Sequence, residues 1–218
     1  MDIVTTLRTT AAVRAFTDDP VADAVIHDLL DDARFAPSGG NRQPWRVVVV
    51  KDTAIRRRLG ELMQPVWDGY VARAALGITP YNCVDDREPA AAPRVANGLL
   101  DRIETIPVVL AVAADLRRLA LMDAGLDRPP LAGGASIYPF CWSVLLAARA
   151  RGLGGVLTTF LSRAEPGAGP ELGLPAHHAL AATIFLGVPE REVTRLRREP
   201  VEAFATLDRF DGPAFRAR

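Results

Sequence analysis

Residues Ala36-Pro37-Ser38-Gly39-Gly40-Asn41-Arg42-Gln43-Pro44-Trp45 separate an amphipathic helical pattern from four consecutive valines, Val47-Val48-Val49-Val50. Pro37 biases Ala36 away from helical angles, so the preceding helix should end there. Gly39 and Gly40 accept positive φ without steric cost, and Pro44 forbids helix and has no N–H to donate. The stretch reads as a tight irregular loop presenting Ser38, Asn41, Arg42, Gln43 and free backbone amides, anchored by a buried strand over 46–50. Hydrogen-bonding groups on a loop held by a strand suit a planar, acceptor-rich ligand. An ordinary helix-to-strand turn is the other reading of the same residues.

Upstream, residues 2–11 predict a short helix with Ile3, Val4 and Leu7 on one face. Asp18 and Asp19 before Pro20 signal a second helix start. Its stripe is Val21, Val25, Leu29 and Ala33, widened by Ile26 and Leu30. Downstream, the apolar run 45–51 predicts a strand covered on both faces. Asp52 and Thr53 then cap a helix carrying Ile55, Leu59, Leu62 and Met63. Arg56-Arg57-Arg58 reads as its solvated face rather than a nucleic-acid patch.

Residues 65–93 scatter Trp67, Tyr70, Leu76, Ile78, Tyr81 and Cys83 among Gly69, Gly77, Pro80 and Pro89. That pattern predicts a broken helix, serving either as a substrate lid or as core packing. Residues 95–106 predict a helix ended by Pro107, and 108–114 a second buried strand. After a loop at 121–134, Ser136 caps a long helix over 137–151 that Gly152 stops. Trp142 and Leu146 make that helix apolar on more than one side. Residues 154–160 predict a third strand whose two glycines permit close approach of a ligand, and 179–188 a fourth. The final segment, 199–218, with Val201, Phe204, Leu207 and Phe210, is too apolar for a free tail and predicts packing on a partner chain.

The chain has 218 residues, 49% hydrophobic and 24% charged, with 26 basic and 26 acidic side chains. A net charge of zero argues against a nucleic-acid or anionic-membrane partner. Two cysteines give no disulfide framework, and His27, His177 and His178 have no metal-ligand spacing. No secretory signal is legible at Met1-Asp2-Ile3-Val4, and no apolar run reaches the ~18 residues of a membrane span. A cytoplasmic location is therefore expected. Helices outnumber strands without strict alternation, which predicts a single α+β domain over 1–218. There is no G-x-G-x-x-G fingerprint, no Ser/His/Asp set and no acidic pair.

The stretch from Ala36 to Trp45, followed by an apolar strand, resembles the A-P-S-x-x-N-x-Q-P-W signature of the FMN-dependent nitroreductase family, where this loop wraps the flavin. The resemblance implies a central mixed β-sheet flanked by helices on both faces. It implies an intertwined homodimer, with the C-terminal segment crossing to add a strand to the other subunit's sheet. It also implies FMN as cofactor and NADPH or NADH as transient hydride donor. Electrons then pass to a nitroaromatic, quinone or similar small acceptor by a ping-pong route, with the flavin rather than a protein side chain carrying the chemistry.

By the same resemblance, the family's phosphate-binding Arg-Arg-Ser-x-Arg segment falls on Thr10-Ala11-Ala12-Val13-Arg14, where only the last arginine is kept. This departure weakens the phosphate site or shifts its charge to Arg8 or the C-terminal arginines. Arg14 matches a position at the polar edge of the flavin, where a cation stabilises the reduced anion. Arg198, before Glu199-Pro200, matches a second phosphate contact, with Arg197 beside it; a solvated basic tail is the alternative. Leu157-Thr158-Thr159 matches a segment bordering the ring. Ser38, Gly39 and Asn41 match the loop that reaches the flavin, often from the neighbouring subunit. Two further readings stay open. One is a flavin-sequestering protein with little turnover. The other is a specialised chemistry (reductive dehalogenation, flavin breakdown or deazaflavin use) that residues 65–100 would decide.

Overall fold

The apolar run after Pro107 forms the middle of the sheet. In the computed structural model, which describes residues 1–193 and 195–217, strand β2 (Val108–Asp115) is buried at every position. It lies between β1 (Trp45–Val49) and β4 (His178–Gly187), and β3 (Gly154–Thr158) closes the far edge. All three pairings are antiparallel. Among the described residues the parallel component is a single bridge, Ala12 to Gly155.

The two faces of β2 explain its composition. Val108, Leu110, Val112 and Ala114 pack with Ile184 and Leu186 of β4 against α2 (Asp23–Ala33) and α4 (Tyr138–Ala150). Val109, Ala111 and Ala113 face the other way with Phe185, against Leu59 and Met63 of α3 (Thr53–Ala75), Leu161 of α5 (Phe160–Arg163) and Ala168 of α6 (Glu165–Glu171). Helices thus cover both faces, and each fully buried Leu, Ile or Phe contributes about 1.5–3 kcal/mol. This is the expected α+β architecture.

Several local expectations change. Strand β1 is an edge strand: Val47 and Val49 pack on the α2/α4 side, while Arg46 is exposed and Val48 is 42% exposed on the other. The second helix starts at Asp23 rather than at Pro20, because Asp19 instead takes a hydrogen bond from the Thr17 hydroxyl at 2.7 Å. Helix α3 runs unbroken through Pro65 to Ala75, with Leu59, Met63 and Asp68 on its buried face. That packing outweighs the roughly 3 kcal/mol cost of an interior proline.

Arg56 is not solvated. It is buried and donates to the carbonyls of Val50, Glu104 and Ile106 at 2.8, 3.2 and 2.7 Å. Residues 95–106 form successive turns, not a helix. Asn97 Oδ1 accepts from the amides of Leu99 and Leu100, and Asp101 Oδ2 accepts from the Asn97 amide. Such side-chain bonds compete with the helical ladder.

Ser136 does not cap α4; its hydroxyl accepts the Gly39 N–H at 3.0 Å. Gly152, at φ +78°, ends α4 as expected, with Leu153 N–H on Ala148 O and Gly152 N–H on Arg149 O. Helix α1 (Ile3–Thr9) leaves Ile3, Val4 and Leu7 exposed. The C-terminal segment closes a small turn through the Thr206–Ala214 bridge, with Phe204, Phe210 and Phe215 exposed.

Candidate functional site

The extended link after α1 is tied to the sheet at three points. Val13 N–H donates to Gly155 O at 2.9 Å, Thr17 N–H to Val188 O at 2.9 Å, and Glu190 N–H to Ala15 O at 3.1 Å. Arg14 lies between these ties, exposed beside β3. It borders an open cleft of about 660 Å³ together with Leu157, Thr158, Thr159, Phe160, Asn97, Trp67 and Tyr70. A second cavity of about 360 Å³ shares Arg14 and Leu157 and adds Ala11, Ala12, Tyr138, Trp142 and Gly155. Among the described residues, Arg14 is the one charged side chain on the walls of either cavity.

One wall of the cleft is aromatic. Trp67 stacks on Tyr70 with centroids 5.8 Å apart, and Phe160 tilts against both at 5.8 and 6.1 Å. Trp67 and Tyr70 project from the continuous helix α3, so this wall is a rigid helical face and not a broken segment. Beyond Ala75 the chain is strapped back onto α3. Tyr81 donates its hydroxyl to Val66 O at 3.1 Å, and the guanidinium groups of Arg73 and Arg163 each lie 4.2 Å from its ring centroid.

Two polar atoms in these walls have no partner. The Thr158 hydroxyl and the Trp67 indole nitrogen are buried without a hydrogen bond among the described residues. Buried polar groups normally find partners, so orphans in a cleft wall point to a ligand. Asn97 was missed in the sequence because 95–106 reads as a helix. The turn that replaces that helix sets Asn97 into the cleft, and Asp68 fixes the segment by accepting the Val95 N–H at 2.8 Å. Gly154 and Gly155, expected to admit a ligand, mainly admit protein. A Cβ at Gly154 would meet Val13 at 2.8 Å, and one at Gly155 would meet Leu186 at 2.4 Å and Phe185 O at 2.9 Å.

The remaining expected residues are distributed as follows. Thr10 is buried, and its hydroxyl is already donated to Thr6 O at 2.7 Å. With Val13 it lines a small cavity behind the bridge, next to Ala11 and Arg149. Arg197 and Arg198 are exposed and border neither large cavity.

Ser38, Gly39 and Asn41 also lie outside both cavities, on a self-bonded loop. Ser38 Oγ accepts the Gln43 N–H at 2.9 Å, and Asn41 Oδ1 accepts from Gln43 Nε2 at 3.1 Å. Gly40, Asn41 and Gln43 all have positive φ, at 59°, 53° and 48°; Gly39 does not. Two non-glycine residues in this region signal local strain of the kind found at functional loops.

Among the described residues no group of three His, Cys, Asp or Glu side chains is placed to hold a metal. Cys141 is buried in the core, and burial pushes its thiol up to about 12, so it is no nucleophile at neutral pH. No helix among the described residues is long and apolar enough to cross a membrane.

A cleft with one cation, an aromatic wall, a free hydroxyl and an adjoining cavity fits a planar aromatic group with a polar edge. The Nitroreductase family model matches residues 7–188, and the chain belongs to that family. It is 31% identical over 201 residues to an NADH dehydrogenase of Thermus thermophilus, covering 88% of each chain. It is 32% identical over 180 residues to a 5,6-dimethylbenzimidazole synthase of Rhodospirillum rubrum, covering 83% of this chain and 78% of the relative. The fold matches the NADPH:FMN oxidoreductase of Vibrio harveyi complexed with NAD+, with a TM-score of 0.69 at 20% identity, over 95% of this chain and 77% of that one.

Proposed function

We propose that the protein is an FMN-dependent oxidoreductase that takes hydride from NADH or NADPH and passes electrons to a small aromatic acceptor. The observation that carries this reading is Arg14, a lone cation on a cleft walled by Trp67, Tyr70, Phe160 and the unpartnered Thr158 hydroxyl. Leu157, Thr158, Thr159 and Asn97 hold the flavin ring, and the flavin supplies the hydride and electron transfer. Arg14 offsets the negative charge that accumulates at the polar edge on reduction. The aromatic wall excludes water and stacks a planar acceptor such as a nitroaromatic or quinone. Because the cleft is open and carries one cationic edge at Arg14, donor and acceptor use it in turn, which is a ping-pong scheme.

The working unit is a homodimer. Three features support it: the uncovered face of β1 at Val48, the exposed Ile3, Val4 and Leu7, and the exposed phenylalanines of the C-terminal segment. In the dimer that segment adds to the β1 edge of the partner. The Ser38–Asn41 loop completes the partner's site, and Arg197 and Arg198 lie at the phosphate end. The experiment is NADH or NADPH oxidation by the FMN-loaded protein with and without a nitroaromatic or quinone. Acceptor-dependent turnover supports the reading. Bound flavin without turnover supports the alternative of flavin sequestration, which the loss of cations at Thr10-Ala11-Ala12 favours.

A further inference from the structure

Three cavities run in series through this chain. The cleft and the second cavity meet at Arg14 and Leu157. The second cavity and a small one of about 10 Å³ meet at Ala11, Leu145 and Gly155. At the end of the series stands Arg149, near the C-terminus of α4.

Arg149 is an unusual cation here. Its side chain is 9% exposed, its Nε donates to Thr9 Oγ1 at 3.0 Å, and its Nη2 pairs at 2.7 Å with Glu192, which is 58% exposed. A desolvated guanidinium is costly unless its donors are saturated by carbonyls or paired with an anion. This one is satisfied by a solvated carboxylate on an irregular strand of chain, beside Pro189 and Val193, which border the same cavity. Arg56, equally buried, is instead saturated by three backbone carbonyls. Arg73 pairs with Glu88 under the Tyr81 ring, away from the series.

We propose that Arg149 is a further, buried cation at the phosphate end of the flavin, beside Arg197 and Arg198, and that Glu192 occupies it as a stand-in anion until flavin arrives. The proposal rests on the flavin reading above and deepens it. The charge missing from Thr10, Ala11 and Ala12 is supplied across the cavity from α4. A phosphate in the volume of the Glu192 carboxylate gains the terminal donors of the Arg149 guanidinium, whose Nε stays on the Thr9 hydroxyl, itself donated to Thr5 O at 2.8 Å. Glu192, already mostly solvated, moves out to water.

The test is titration of the full chain with FMN and with riboflavin, which lacks the phosphate, followed by quenching of flavin fluorescence. Wild-type protein is expected to prefer FMN. Arg149→Met should lower FMN affinity about tenfold or more, the scale of a charge-assisted bond, and leave riboflavin affinity within about twofold. Glu192→Gln, at an exposed position that tolerates change, should raise FMN affinity severalfold and leave riboflavin unchanged. Equal losses for both flavins in Arg149→Met, or no FMN gain in Glu192→Gln, would overturn the proposal. Wild-type binding of both flavins with equal affinity would overturn it while leaving the flavin reading intact. Binding of neither would overturn both.

Discussion

Val13 donates its backbone N–H to the Gly155 carbonyl at 2.9 Å, next to the parallel bridge that Ala12 makes with the same residue. This short contact holds Arg14 at the side of β3, where it and Leu157 both line the two cavities. Position, more than composition, makes this arginine a candidate for the reacting edge of a bound cofactor.

Removing the Arg14 charge should slow hydride uptake without unfolding the chain. Arg14→Ala is expected to reduce the rate of flavin reduction by about 100-fold, the typical effect of deleting one preorganised electrostatic group. Arg14→Lys should recover part of that loss. Stopped-flow reduction by NADH or NADPH reads the rates, and unchanged thermal melting confirms that the effect is local.

The Gly155 contact makes a separate prediction. A methyl group there would sit 2.4 Å from Leu186 Cδ2 and 2.9 Å from Phe185 O. Gly155→Ala should destabilise the protein by about 1–3 kcal/mol, as overpacking does. It should also weaken flavin binding by displacing Val13 and Arg14. Gly169→Ala, whose Cβ would meet only Leu174 at 3.7 Å, serves as the control for adding a methyl group, read by chemical denaturation.

Which of these features the sequence reveals depends on whether they are local. Strand β2 is legible because seven consecutive apolar residues, Val108 to Ala114, leave one physical solution, a strand covered on both sides. The Gly152 stop is legible because only a residue tolerant of positive φ fits there. The length of α3 is not, since Pro65 signals a break and the compensating packing of Met63 and Asp68 is tertiary. The turns at 95–106 were hidden for the opposite reason: the apolar spacing of Leu99, Leu100 and Ile103 mimics a helix, while Asn97 and Asp101 capture the backbone amides. Arg56 reads as solvent-facing until the carbonyls of Glu104 and Ile106 are brought to it. Within the candidate site, Arg14 and Leu157–Thr159 are named only through the family resemblance, whereas Asn97 and Arg149 emerge only once distant segments meet.

The aromatic wall should govern acceptor choice. Tyr70 stacks on Trp67 at the cleft, and an aromatic pair is worth about 0.5–1.5 kcal/mol. Tyr70→Ala is expected to raise KM for a nitroaromatic acceptor about 2- to 10-fold while leaving the rate of reduction by NADH or NADPH unchanged. Steady-state and single-turnover kinetics separate the two.

The loop before α4 carries a pH-sensitive tie. Asp123 accepts the Leu131 N–H at 2.7 Å, pairs with Arg128 at 2.7 Å and accepts the Ala132 N–H at 3.1 Å. These bonds lower its carboxyl from 3.8 to about 2. A carboxyl held below its unfolded value stabilises the loop at pH above that value, and the contribution is lost as pH falls toward 2. Protection of the Leu131 and Ala132 amides, relative to the intrinsic exchange rate at each pH, should therefore fall through that interval and not at neutral pH. Asp123→Asn should show the lower protection already at pH 7.

The most direct test is the visible absorption spectrum of the protein after incubation with FMN and removal of free flavin, recorded before and after anaerobic addition of NADH or NADPH. Wild-type protein should be yellow and bleach, and Arg14→Ala should bleach far more slowly. A protein that stays colourless, or an Arg14→Ala variant that binds and bleaches at the wild-type rate, would refute the assignment of this cleft.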